Sequence, residues 1–201
     1  MALNLGVLVS GNGTNLQAIL DAVVGGALDA RVRCVVSNKS DAFALERARR
    51  AGVPCLAISH KAYATREAFD EAVLAALREH GVEWVVLAGF MRVLTPGFLR
   101  AWGGRVVNVH PALLPSFPGV NAVAQALAYG VKVTGCTVHF VDEGVDSGPI
   151  IAQRAVPVVD GDDVESLAAR VHVAEHELFV SVLAEIAAGR VVPGAPRGGK
   201  A

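Results

Sequence analysis

The sequence predicts an α/β protein: an open, mostly parallel, twisted sheet with helices on both faces, to which the C-terminal third adds antiparallel strands. Three observations carry this reading. Short apolar, β-rich runs alternate with helical patterns through the first two-thirds of the 201-residue chain, as βαβ units require. Runs such as Val85-Val86-Leu87-Ala88 are apolar without a break, as strands covered on both faces are. Further on, two β-rich runs at 133–140 and 150–156 are joined by a loop, which suits an antiparallel pair.

The elements follow in order. Strands are expected at 5–10, 31–37, 55–59, 84–88 and 106–110, with helices at 15–24, 43–51 and 66–79 between them. In the last helix Ala68/Phe69, Ala72/Val73 and Ala76/Leu77 recur every four residues, giving one apolar stripe. Residues 162–165 resemble an Asp-started capping box for a long terminal helix running to about Ala187. We expect one domain over 1–190 and a flexible, Gly/Pro-rich tail over 191–201.

Composition narrows the function classes. The chain is 53% hydrophobic and 18% charged, with a formal net charge of -1. That balance fits a packed globular protein and not a basic nucleic-acid binder. No apolar run reaches membrane-spanning length, and the first residues carry no basic signal-peptide region. Neither nucleic acid nor a membrane is an expected partner. Cys34, Cys55 and Cys136 are scattered and odd in number. They read as free thiols of a reducing, cytoplasmic compartment.

The chemistry concentrates in Asn108-Val109-His110-Pro111 and in the segment from Asp142 to Pro149. Asn108 and His110 stand at i and i+2, so on a strand end both side chains leave the same face. Asp146 lies in a Gly-rich, Pro-bounded loop able to fold over that face. An amide donor, an imidazole and a carboxylate can stabilise an oxyanion and move protons in acyl transfer. No serine or cysteine elbow accompanies them, so the nucleophile is expected to be a substrate atom.

The segment from Ser10 to Asn15 joins the first strand to the first helix. Its glycines and the helix N-terminus suit a phosphate. Position 16 is Leu16 where a dinucleotide fingerprint wants a third glycine, and Ser37-Asn38-Lys39 replaces its acidic residue. No Gly-Lys-Ser/Thr follows, so a phosphomonoester fits better than NAD or ATP. Met91 and Leu94, after the fourth strand, are placed to line a flat apolar slot. The only histidines with ligand spacing, His172 and His176, flank Glu175 with Val173 and Ala174 between them. This is not the His-Glu-x-x-His arrangement, and no metal is expected.

These motifs, in this order, resemble the phosphoribosylglycinamide formyltransferase family, the folate-dependent transformylases of purine synthesis. The likeness rests on the segments 10–19, 87–92, 108–115 and 142–149 and runs from about Leu3 to Ala187. It implies a Rossmann-like formyltransferase fold. It also implies formyl transfer from 10-formyltetrahydrofolate, as co-substrate, to the amine of glycinamide ribonucleotide. By position, Asn108, His110 and Asp146 match the family's catalytic trio. Gly13, Thr14 and Asn15 would hold the substrate phosphate, and Arg66, Asn108 and Glu175 would make further substrate-side contacts. Met91, Arg92, Val93 and Leu94, with Val141, Asp142, Glu143, Gly144 and Val145, would shape the folate pocket. Ser116 stands where a basic residue is frequent in the family, and Asn121 where a histidine often makes contact. A 10-formyltetrahydrofolate hydrolase, with water as nucleophile, is the alternative within reach of the same trio. Whether the chain works alone or as a homodimer is left open.

Overall fold

In the computed structural model, residues 2–194 are described; the part of the expected tail from 195 to 201 lies outside them. The chain runs β1 (Leu3–Val9), α1 (Thr14–Val24), β2 (Ala30–Ser37), α2 (Phe43–Arg50), β3 (Cys55–Ala57), a 3-10 turn (His60–Ala62), α3 (Arg66–Glu79), β4 (Trp84–Leu87), α4 (Pro96–Trp102), β5 (Val106–His110), α5 (Ala122–Tyr129), β6 (Val133–Phe140), β7 (Ile150–Pro157) and α6 (Val164–Ala187). One seven-stranded sheet has the order β3-β2-β1-β4-β5-β6-β7. The pairs from β3 to β5 are parallel, and β5/β6 and β6/β7 are antiparallel. The sheet expected from the sequence is therefore the one that forms.

Alternation along the strands splits the apolar residues between two cores. On one face Leu5, Val7 and Val9 pack with Leu16 and Ile19 of α1 and with Val171, Phe179 and Leu183 of α6. On the other, Leu8, Val36, Val85 and Leu87 pack with Phe69, Val73 and Leu77 of α3 and Phe98 and Trp102 of α4. Removing each such side chain from water contributes roughly 1.5–3 kcal/mol. The burial of both sheet faces explains the unbroken apolar run of β4.

Helix starts follow local chemistry. Thr65 accepts from the amide of Ala68 at α3, and Thr95 accepts from Phe98 at α4, where Pro96 fills the first turn. Such caps stabilise by about 1 kcal/mol each. The capping box of α6 begins one residue later than expected: Asp163 pairs reciprocally with Ser166. Asp162 instead accepts from the amide of Val159 and the guanidinium of Arg170. Helices α4 and α5, seven and eight residues long, were not anticipated. Strand β3 keeps only three residues of the expected 55–59.

The parallel strands leave β1 in one direction toward β2 and β3, and in the other toward β4 and β5. The order therefore reverses between β1 and β4, and a crevice opens there beyond the carboxyl ends of the strands, where open α/β sheets bind ligands. The loops after β1, β4 and β5 all leave from that edge.

Candidate active site

β5 delivers Asn108 and His110 to the crevice, and the loop between β6 and β7 brings Asp146 over them. Oδ2 of Asp146 lies 3.2 Å from Nδ1 of His110. The amide nitrogen of Asn108 is 3.5 Å from Oδ1 of Asp146. The backbone amide of Gly119 donates to Oδ2 at 2.8 Å. Asp146 takes this position with a left-handed backbone, φ 51, a conformation unfavourable for a residue with a Cβ. The side chains expected to converge do so.

The other ring nitrogen of His110, Nε2, lies 2.8 Å from the carbonyl oxygen of Phe117. Both nitrogens thus face oxygen acceptors, and only the imidazolium can donate to both at once. Burial pushes the Asp146 carboxyl up. The adjacent ring of His139, the bond from the Gly119 amide and the ring of His110 outweigh it and hold the carboxyl below its ordinary range.

His139 is the participant that sequence reasoning missed. It pairs directly with Asn108 across β5 and β6. Its Nδ1 lies 2.8 Å from the carbonyl of Phe140, so that nitrogen carries the hydrogen. Nε2 then faces the Asn108 amide nitrogen at 3.2 Å and Asp146 Oδ1 at 3.6 Å. This fixes which end of the Asn108 amide points toward the histidine. The signal lay in the pairing register, which also sets Thr137 opposite His110.

A cavity of about 440 Å³ opens directly over this group. Met91, Arg92, Val93, Leu94, Val141, Asp142, Gly144 and Val145 line it together with Asn108, His110 and Asp146. Glu143, on the same loop, is exposed and stands outside the lining. Arg92 lies over the ring of Phe69 at 5.4 Å, and Asn121, with φ 58, closes another side of the cavity. A cavity of similar size, about 450 Å³, lies between α3 and α4 among Glu67, Asp70, Arg78 and Arg100. It holds none of the converging groups.

Gly13, Thr14 and Asn15 do not line the 440 Å³ cavity. They form the start of α1, on the strand next to β4. Gly13 caps that helix with φ 77, and no side chain caps its first turn, so its first amides stay available to an anion. A Cβ on Gly13 would come within 2.5 Å of the Ala44 Cβ. Arg47 of α2 holds the loop from outside, donating to the carbonyl of Asn12 at 2.9 Å and to its side chain at 2.7 Å. Glu175 of α6 is buried to 3% exposure. Burial pushes its carboxyl up to about 7, opposed by a hydrogen bond from Asn15. Oδ1 of Asn15 is buried without a partner among the described residues. Arg66, in the first turn of α3, is exposed and donates to the carbonyl of Val93 at 2.9 Å. It thereby props the wall of the cavity. Among the described residues, no group of three or more His, Cys, Asp or Glu side chains is arranged to hold a metal ion. None of the described helices is long and apolar enough to cross a membrane.

An open, mostly parallel sheet thus carries an amide, an imidazole and a carboxylate together at the carboxyl end of β5, a set able to serve acyl transfer. The chain belongs to the formyl transferase family, whose profile matches residues 3–183. Its relatives give the finer class. The phosphoribosylglycinamide formyltransferase of Escherichia coli (strain K12) is 44% identical over 94% of this chain and 89% of its own. The crystal structure of glycinamide ribonucleotide transformylase 1 from Symbiobacterium toebii superposes with a TM-score of 0.93 at 50% identity, covering 97% of this chain and 92% of that one. The trifunctional purine biosynthetic protein adenosine-3 of Drosophila pseudoobscura pseudoobscura is 50% identical over 91% of this chain, which spans only 14% of that protein.

Proposed function

We propose that the chain transfers a formyl group from 10-formyltetrahydrofolate to the amine of glycinamide ribonucleotide, in purine synthesis. One observation supports this most directly. Asn108, His110 and Asp146 converge on a cavity whose described lining contains neither serine nor cysteine. With no protein nucleophile at hand, the attacking atom comes from the substrate.

In this reading the substrate amine attacks the formyl carbon and a tetrahedral oxyanion develops. The Asn108 amide donates to that oxygen and the adjacent His110 imidazolium adds its positive charge; one such donor contributes roughly 3–4 kcal/mol in comparable sites. Asp146 keeps the imidazole charged and accepts the proton lost by the amine. It passes that proton, through water, toward the departing folate nitrogen. The cavity bounded by Met91–Leu94 and Val141–Val145 takes the pterin, with Glu143 at its rim. Gly13, Thr14 and Asn15 hold the phosphate, while Arg66 and Glu175 bound the ribonucleotide side. The two substrates are the expected partners, the working compartment is the cytoplasm, and no metal takes part.

The hydrolytic alternative uses the same trio with water as nucleophile. It is not favoured, because the relatives matched along most of their own length are named as transferases. The test is an assay of purified chain with 10-formyltetrahydrofolate, with and without glycinamide ribonucleotide. Formylated ribonucleotide formed in step with folate consumption is the expected result. Formate release that ignores the ribonucleotide would overturn the proposal.

A further inference from the structure

Two loops border the crevice, and a single side chain joins them. Ser10, at the end of β1, begins the segment that leads to Gly13–Asn15. Its backbone amide donates to the carbonyl of Gly89 at 3.1 Å. Its hydroxyl accepts from the amide of Met91 at 2.8 Å and donates to Oδ1 of Asn38 at 2.6 Å. Ser10 and Asn38 are 3% and 4% exposed, so water does not substitute for these bonds. The chain of donors has one direction. The Met91 amide can only donate, so the Ser10 hydroxyl must give its hydrogen to Asn38. The Asn38 amide nitrogen is left facing Nδ1 of His60 at 3.5 Å.

These bonds occupy the switch point, where β1 and β4 lie side by side. Around them the 89–94 loop is held by Phe90 and Leu94, which are buried in the second core, by the Arg66 bond to Val93 and by the Arg92 contact with Phe69. The 10–15 loop is held from the opposite side by Arg47 and by the bond from the Ala44 amide to the Gly11 carbonyl. Among the described hydrogen bonds, those of Ser10 join the two loops directly.

We propose that Ser10 is a positioning residue that couples the two ligand subsites, so that an anion seated at Gly13–Asn15 tightens the Met91–Leu94 wall for the pterin. This rests on the subsite assignment given under the proposed function. Ordering one loop removes part of the cost of ordering the other, and the coupling is reciprocal between the two ligands.

The test uses the full chain, glycinamide ribonucleotide, and tetrahydrofolate, which cannot donate a formyl group. Titration calorimetry gives the folate dissociation constant with and without ribonucleotide. The unaltered chain should bind folate about 5- to 10-fold more tightly when ribonucleotide is present, within the ordinary range for coupled sites. Ser10→Ala should bring that ratio to about 1, and Ser10→Thr, which keeps the hydroxyl, should restore it. The Ser10→Ala change should raise the folate KM several-fold and leave kcat within about twofold, as loss of ground-state binding does. If Ser10→Ala gives no cooperative melt, Asn38→Ala carries the test, because it removes the acceptor that orients the hydroxyl. The ratio should then fall by at least half. A ratio of 1 in the unaltered chain overturns the proposal. So does a ratio that survives in the altered chain while both affinities and the melting temperature fall together, since that marks Ser10 as merely structural. Failure of the subsite assignment is read separately: Thr14→Ala and Asn15→Ala would then leave ribonucleotide affinity unchanged.

Discussion

Oδ2 of Asp146 lies 3.2 Å from Nδ1 of His110, and solvent reaches only 13% and 5% of the two side chains. In such a covered site the attraction between opposite charges is screened far less than at a surface. The carboxylate and the imidazole are thereby strongly coupled, and neither residue's part can be assigned without the other.

Asp146→Asn keeps the shape of the side chain and removes its charge. Turnover should fall by at least about a hundredfold, the lower range for a positioned proton-transfer group. Dissociation constants for ribonucleotide and folate should change little, because the lost interaction belongs to the transition state. The double variant with His110→Asn should be impaired much less than the product of the two single effects. Steady-state kinetics with both substrates saturating decides this. Near-normal turnover in Asp146→Asn removes the residue from the chemistry.

The same substitution bears on acid stability. The Asp146 carboxyl is held below its ordinary range in the fold. Its contribution is therefore present above the unfolded carboxylate range and is lost as pH falls through the folded value. Asp146→Asn should flatten the acid limb of a plot of melting temperature against pH. An unchanged limb would mean that other carboxylates dominate acid unfolding.

Glu175 works with the opposite sign. Burial raises its carboxyl to about 7, so the folded state binds the proton more tightly than the unfolded one. Stability from this group is complete below the unfolded carboxylate range and is lost as pH rises toward 7. Glu175→Gln should remove that loss and raise stability at pH 8 by on the order of 3 kcal/mol, while ribonucleotide binding weakens. Denaturant unfolding at pH 5 and pH 8 measures the difference. Equal effects at both pH values would contradict the assignment.

Gly13 has a structural role apart from its proposed place at an anion. With φ 77 and the Ala44 Cβ only 2.5 Å from where its own would stand, Gly13→Ala should destabilise by about 1–3 kcal/mol. Adding Ala44→Gly should recover part of the loss, because the clash goes while the backbone strain stays. Thermal melts of the three variants test this. Thr14→Ala, which meets no such contact, is the cleaner probe of phosphate affinity.

Much of the fold was legible in the sequence, and so was the core of the candidate site. The apolar run of β4 and the four-residue stripe of α3 reflect burial against the core, and that is why they could be read. Helices α4 and α5 were missed because each is only two turns long and leaves little periodicity to detect, although Thr95-Pro96 is a start signal. The α6 cap was placed one residue early, since Asp162 and Asp163 are equivalent until Arg170 claims the first. His139 was invisible for a different reason. Only the antiparallel register of β5 and β6 sets it beside Asn108, and register is a property of pairing, not of any one segment. The spacing of Asn108 and His110, by contrast, is local, so a strand end was enough to reveal it.

The strand order also sets a timetable. Ser10 meets Met91 across the β1/β4 boundary, and His110 meets Asp146 only after β6 and β7 have turned back along β5. A refolding chain can pair β1 to β5, with Asn108 and His110 on β5, and still lack the carboxylate. Contacts this distant in sequence close slowly, after local helices have formed. In a stopped-flow refolding experiment, far-ultraviolet circular dichroism should therefore recover first and turnover last. The convergence of Asn108, His110 and Asp146 becomes a clock for the final docking step.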